Sequence, residues 1–463
     1  MTEKLQFDSD LHFQEYSKLC EQTFSVKRIK HSDIIFLTDK LKNNKLFKIR
    51  NLGHSVENRK INLISIGKGK TNILCWSQMH GNESTATMAV FDLFNFFSSS
   101  EHLELKNFLL ENLTIHFIPM LNPDGAERFI RENALGIDLN RDALNLVSPE
   151  SKILKNIIFE LKPLIGFNLH DQKIYHCAGY SPNPATISFL APAYNFEKDI
   201  NDIRKKAMQL IGSVSQTLDK YIPASFAKYD DEFEPRAFGD NIMKWGTGTV
   251  LVESGGYKND PEKQFVRKLN YIILLSSFYY LSTGEYENTS LNLYNQIPEN
   301  RERLFDLKIK NVFLEKNEQK YLVDLGINRT ELTRSSSVKS FYKGTLENVG
   351  DLSTFYGYEE FDASGFTLKE AKVSDSILPK TKNEQFELLR SGTMFVKDDN
   401  PEKITDNLIN SYNCNIPSTE IISENPANFY LINKEKEIGY AVINGFLVDL
   451  SSDDVFVHNC IHF

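Results

Sequence analysis

The chain has 463 residues, 41% of them hydrophobic and 25% charged, and a formal net charge of −9. That length implies two or three domains, and the acidic balance argues against nucleic acid as the main partner. No apolar stretch approaches the ~20 residues of a spanning helix, and residues 1–8 lack the apolar core of a signal peptide, so a cytoplasmic protein without membrane segments is expected. Five scattered cysteines, Cys20, Cys75, Cys177, Cys414 and Cys460, form no Cys-x-x-Cys pair. Neither a disulfide framework nor a thiolate zinc site is expected from them.

In chain order, residues 1–44 read as a helical lead-in. A short strand near residue 50 precedes an alternating strand at 61–66. Gly67-Lys68-Gly69-Lys70 makes a turn, and the apolar run at 72–77 reads as a buried central strand. Residues 84–97 carry Met88, Phe91, Leu93 and Phe94, the pattern of a helix packed on a sheet. A strand follows at 113–120, then a turn at Leu121-Asn122-Pro123-Asp124-Gly125. Ser148-Pro149 opens a helix, with proline at its favoured first position. Strands at 164–169 and 186–190, a helix over about 196–220, a strand at 249–252 and a long helix at 261–281 complete this part. The alternation implies an α/β fold, a mixed sheet covered on both faces, in which sites form at the carboxyl ends of strands.

The texture changes near residue 290. Short β-type runs at 307–313, 320–325 and 353–358 are separated by polar loops, and Ser335-Ser336-Ser337 marks an exposed one. Asn444-Gly445 between two apolar runs is a hairpin turn signal. The expected division is therefore a lead-in at 1–44, a catalytic domain at 45–289, and a smaller α+β or β-rich C-terminal domain at 290–463 in which no catalytic constellation stands out.

The chemistry gathers at strand ends. His80 and Glu83 follow the strand at 72–77, His170 follows 164–169, and Glu253 follows 249–252. Two histidines and one carboxylate leave a fourth position open on a zinc ion, the donor set of a hydrolytic site, and a second glutamate outside the metal shell can take and return a proton. Each residue alone has a plainer reading: loop histidines for His80 and His170, and a solvated strand-end carboxylate for Glu253. Their joint occurrence, in order and each at a strand end, favours the metal site. Arg131 and Arg141 are candidates for stabilising an oxyanion or clamping a carboxylate with paired bonds, Asn140 can share in that clamp, and Arg128 reads as a surface ion-pairing residue.

With these residues on the page, the sequence resembles the zinc carboxypeptidases, metallocarboxypeptidases of the M14 type, over about residues 45–285. The likeness rests on His80-Gly81-Asn82-Glu83, Asn122-Pro123-Asp124-Gly125, Arg131 through Asp138-Leu139-Asn140-Arg141, Asn168-Leu169-His170 and Val252-Glu253-Ser254. It implies an eight-stranded mixed sheet flanked by helices and one zinc ion on His80, Glu83 and His170. It also implies that Glu253 is base and then acid, that Arg131 polarises the scissile carbonyl, and that Asn140 and Arg141 hold the substrate's terminal carboxylate. The family's mobile tyrosine finds its nearest counterpart in Tyr229, by a loose alignment. Arg236, Phe238 and Asp240 fall in the specificity region. Asp240 there would favour a basic terminal residue, or be a turn residue before Asn241. Asp171 could orient a ligand or solvate its loop, and His176 is expected in a pocket or at the surface.

The function expected is zinc-dependent removal of a C-terminal residue from a peptide or another substrate with a free carboxylate. One alternative is a zinc amidohydrolase acting on N-acyl amino acids or murein-type γ-D-peptides. Another is a binding module that kept the fold without catalysis, a reading weakened by the intact ligands and base.

Overall fold

The computed structural model describes residues 5–332, 341–399, 404–452 and 455–463, and the run Ser335-Ser336-Ser337 lies outside them. Packing divides the chain into two units, Met1–Glu302 and Arg303–Phe463.

The strands of the first unit are β1 (Lys48–His54), β2 (Lys60–Gly67), β3 (Thr71–Trp76), β4 (Leu113–Ile118), β5 (Ile165–Asp171), β6 (His176–Ala178), β7 (Ile187–Leu190), β8 (Phe226–Lys228), β9 (Gly248–Ser254) and β10 (Asn300–Glu302). Eight of them form one sheet in the order β1-β2-β4-β3-β5-β9-β7-β8, while β6 and β10 make a separate ribbon. The middle of the sheet, β4-β3-β5-β9, is parallel, and β1, β2 and β7 bring in antiparallel pairings. The sheet is mixed, as the strand–helix alternation implied, and eight-stranded, as the family resemblance implied.

Parallel strands are covered on both faces, so they read as unbroken apolar runs. In β3 the alternation sorts side chains to opposite cores. Ile73 and Cys75 join the core formed by helices α1 (Ser9–Leu19), α2 (His31–Leu41), α3 (Thr85–Ser98), α4 (Leu103–Asn112), α7 (Asp202–Leu218) and α9 (Gln264–Thr283). Leu74 and Trp76 join the smaller core under α6 (Pro149–Leu161) and α8 (Phe238–Lys244). Pro149 occupies the first turn of α6, where its missing N–H costs nothing.

Three boundaries differ from the sequence reading, each through a local polar contact. The expected turn at 121–125 is the start of a short helix, α5 (Pro123–Arg128): Asn122 caps it by accepting from the Gly125 N–H at 2.9 Å, with proline in the first turn. Helix α7 begins at Asp202, because the Asn201 side chain accepts from the Arg204 N–H at 2.8 Å and ends the extended stretch there. Helix α9 begins at Gln264, three residues after Pro261, where Asp260 accepts from the N–H groups of Gln264, Phe265 and Val266.

The N-terminal helices are fixed to this unit by a buried polar cluster. The Tyr16 hydroxyl donates to Asp92 Oδ2 at 2.7 Å, and Arg267 Nε donates to the same oxygen at 2.8 Å. Arg267 also donates to the Phe24 carbonyl at 2.8 Å. A carboxylate in α3 thus orients both an early helix and α9.

Two buried histidines make the first unit acid-sensitive. His12 lies against Phe7 and His102, and burial followed by the nearby His102 lowers its pKa to about 4. His116 accepts from the Ser65 hydroxyl at 2.7 Å and reaches Asn72 Oδ1 at 3.3 Å, a neutral-tautomer arrangement, and burial lowers it to about 4 as well. Unfolding restores both toward 6.5. The unfolded chain therefore binds more protons between those values, and their contribution is complete above 6.5 and lost as pH falls toward 4. Each is worth at most about 3 kcal/mol. Urea midpoints should fall between pH 7 and 4.5, and His12→Phe should flatten the slope; an unchanged slope contradicts the assignment to His12.

The second unit is β-rich. Its eight-stranded sheet is built on β11 (Leu304–Lys316), β12 (Gln319–Leu332), β13 (Phe341–Gly350), β14 (Tyr356–Asp362) and β15 (Thr367–Glu370), continued by Phe429–Ile432, Ile438–Ile443 and Phe446–Asp449. The last two strands pair antiparallel around Asn444 and Gly445, whose φ angles are 49° and 80°, the positive values that the two-residue hairpin turn needs. The described residues of the unit also hold a three-stranded sheet, a two-stranded ribbon of Ile404–Thr405 with Cys460–Ile461, and a helix at Lys382–Arg390. No helix among the described residues is long and apolar enough to cross a membrane.

Candidate metal centre

The carboxyl ends of β3, β5 and β9 bring the predicted residues together. His80 and Glu83 lie in the segment joining β3 to α3, His170 is near the end of β5, and Glu253 is near the end of β9. His170 and Glu253 are direct partners across the β5–β9 pairing. Gly81 is required by the packing of the β3–α3 segment: a Cβ there would sit 2.0 Å from the Gly125 carbonyl carbon. That close approach lets the Gly81 N–H donate to the Arg131 carbonyl at 3.4 Å.

His80, Glu83 and His170 are all buried and lie within 4.8 Å of one another by their donor atoms. Glu83 Oε1 is 2.8 Å from His80 Nδ1 and Oε2 is 2.7 Å from His170 Nδ1, while the two ring nitrogens are 3.1 Å apart. Glu83 is held far below the usual carboxylate range, because the two imidazoles outweigh the opposing effect of burial. Burial lowers His170, whereas in His80 the effect of burial is outweighed by Glu83 and Asp138, and the pKa rises. Two imidazole nitrogens and one carboxylate converging in a dry site are a donor set that fits zinc with a fourth position left open.

Around this cluster stand two groups of opposite character. Asp138 Oδ1 lies 3.0 Å from His80 Nε2 and its Oδ2 accepts from Arg131 Nε at 3.0 Å, so one carboxylate orients both. Arg131 Nη1 donates to Glu83 Oε1 at 3.2 Å. Glu253 is buried, and its Oε2 has no hydrogen-bond partner among the described residues. Burial, then the charges of Glu83 and Asp171, push its carboxyl well above the ordinary value.

The zinc carboxypeptidase family model matches residues 36–154. That stretch is about a quarter of the chain, and it is similar to part of a zinc carboxypeptidase domain. Carboxypeptidase SOL1 of Arabidopsis thaliana is 28% identical over 142 residues, 25% of this chain and 28% of that protein. Carboxypeptidase 2 of Trichophyton rubrum is 31% identical over 98 residues, 21% of this chain and 18% of that protein. The chain thus spans less than a third of the length of either relative. The crystal structure of a metallo-carboxypeptidase from Burkholderia cenocepacia is similar with a TM-score of 0.44 and 16% identity, over 55% of this chain and 69% of that one.

The segment matched by the family model contains His80, Glu83, Arg131, Asn140 and Arg141 but not His170 or Glu253, which reach the centre through the sheet. Asn140 Oδ1 accepts from the Phe238 N–H at 2.9 Å, which fixes the orientation of its side-chain amide. Arg141 is half exposed, 3.7 Å from Glu234, and that carboxylate is already gripped by two nitrogens of Arg236. Tyr229 follows β8, fixed by its N–H donating to the Phe189 carbonyl at 2.8 Å. Burial and then Glu253 push its phenol up to about 12, so it stays protonated and can donate. Asp240 lies in the first turn of α8 with its carboxyl pushed up to about 7 by burial, and it accepts from the Glu234 N–H.

Arg128 and His176 fall away from the cluster. Arg128 pairs with Glu57 and donates to the Asp124 carbonyl. His176 is half-buried in β6, against the Lys173 carbonyl and the Tyr229 ring. Asp171 does not solvate its loop: it is tied to Thr85 and Lys263. The sequence reading did not anticipate the contacts that Asp138 makes with His80 and Arg131 or that Lys263 makes with Asp171. Asp138 had a local signal, since it immediately precedes the Leu139-Asn140-Arg141 run, whereas Lys263 had none.

Proposed function

We propose that this protein is a zinc-dependent metallocarboxypeptidase that hydrolyses the C-terminal peptide bond of substrates with a free carboxylate. The observation that carries the reading is the buried His80–Glu83–His170 cluster beside the unpartnered Oε2 of Glu253. Zinc held by those three residues would supply a Lewis acid that polarises a carbonyl and acidifies a water.

The remaining chemistry belongs to the chain. Glu253 Oε2 takes a proton from the attacking water and returns it to the departing amine nitrogen. Its buried setting keeps bulk water from competing for that proton. Arg131, held from two sides by Asp138 and Glu83, presents its remaining guanidinium nitrogen to the developing oxyanion. The amide nitrogen of Asn140 and the guanidinium of Arg141 take the terminal carboxylate. Tyr229, protonated over the working pH range, donates a hydrogen bond to the substrate backbone.

Metal content and activity on one sample test the reading. About one zinc per chain is expected, with hydrolysis abolished by chelation and restored by zinc, and with C-terminally amidated peptides left uncut. A zinc-free, inactive chain refutes catalysis, and equal cleavage of amidated peptides refutes carboxylate recognition. Faster turnover of N-acyl amino acids than of peptides would move the substrate class to that of an amidohydrolase.

A further inference from the structure

A buried ammonium lies behind the metal centre, outside every residue given a role above. Lys263 is 8% exposed. Its Nζ donates to Asp171 Oδ2 at 3.2 Å and to the Ser254 carbonyl at 2.8 Å. The Thr85 hydroxyl donates to the same oxygen of Asp171 at 2.6 Å, and the Asp171 N–H donates to Glu83 Oε2 at 3.2 Å. One ion pair therefore joins three chain segments. Thr85 directly follows the segment that holds His80 and Glu83, Asp171 follows His170, and Ser254 follows Glu253.

The backbone is adapted to this placement. Lys263 has φ of 53° immediately before α9, a left-handed conformation uncommon for a side-chain-bearing residue. Strain of this kind persists where the surroundings over-determine it, and it clusters at functional sites. Desolvating a lysine and an aspartate together is also costly unless their hydrogen bonds are good. A surface contact would need neither device.

We propose that Lys263 is a positioning residue for the metal centre: through Asp171 it fixes the Glu83 carboxylate, and through the Ser254 carbonyl it fixes the strand end that carries Glu253. The inference rests on the zinc reading above, but it concerns residues that touch neither substrate nor metal. Partners at one remove from a ligand typically change metal affinity when lost.

The zinc dissociation constant of the full chain, measured by competition with a chromophoric chelator, is the readout. Lys263→Met keeps the aliphatic stem and removes the charge, and should weaken zinc binding by about 10–100-fold. Lys263→Arg should recover most of that loss, a rescue that space-filling alone would not produce. Tight binding by the wild type and equally tight binding by Lys263→Met overturns the inference while leaving the proposed function intact. A wild-type chain that binds no zinc overturns both. Should Lys263→Met be unfolded by circular dichroism, Thr85→Val removes one hydrogen bond to Asp171 instead, and zinc affinity unchanged by that substitution overturns the inference.

Discussion

Glu253→Gln is expected to retain zinc and to lose about 10²–10⁴-fold in kcat, the usual contribution of a positioned general acid–base. The substitution changes almost nothing else. Glutamine has the shape of glutamate, and the hydrogen bonds that join the three candidate ligands to one another do not run through the Glu253 side chain. The Oε2 atom is buried without a partner, so an amide there breaks no hydrogen bond within the protein. What is lost is a carboxyl able to change its protonation state in a site where burial and the charges of Glu83 and Asp171 already raise its pKa. KM should change little, because the proposed function assigns the terminal carboxylate to Asn140 and Arg141. Zinc content and steady-state kinetics on the same preparation check this. Full turnover in the zinc-loaded variant would sink the assignment of Glu253 as base.

The strand ends were legible because parallel central strands are covered on both faces and stand out as apolar runs; β9 is buried along its whole length and β3 from Ile73 to Trp76. Once those ends are known, His80, Glu83, His170 and Glu253 follow from position. The groups behind them are a different matter. Asp138 is 58 residues from His80, and Lys263 is 92 from Asp171. No local period brings either pair together; only the completed sheet does. Asp171 shows the same limit from the other side. Its place next to His170 left two roles open, and the choice was made by Thr85 and Lys263, neither of which is a sequence neighbour. Helix starts failed for a related reason. Proline at 261 is a good first-turn residue, but the three N–H groups collected by Asp260 place the start later, and side-chain caps of that kind depend on a backbone geometry that composition does not encode.

Arg131→Ala should lower kcat by about 10²–10³-fold, the cost of removing one donor aimed at an oxyanion, while zinc stays bound. The guanidinium is held at two points, by Asp138 Oδ2 on Nε and by Glu83 Oε1 on Nη1, and its backbone carbonyl accepts from Asn122 Nδ2 at 3.3 Å and from the Gly81 N–H. The side chain is therefore aligned before substrate arrives, the condition under which a donor acts on the transition state without reorganising. Arg131→Lys tests the geometry separately from the charge. An ammonium carries its three donors on one atom and cannot reproduce the planar fork that reaches Asp138, Glu83 and the oxyanion from separate nitrogens, so most of the loss should remain. The distribution between constants decides the role. A fall in kcat and kcat/KM together marks an interaction made in the transition state, whereas a rise in KM at constant kcat marks uniform binding. The second pattern would move Arg131 from the oxyanion to the carboxylate clamp and leave the polarisation of the scissile carbonyl without a protein donor on this side of the site.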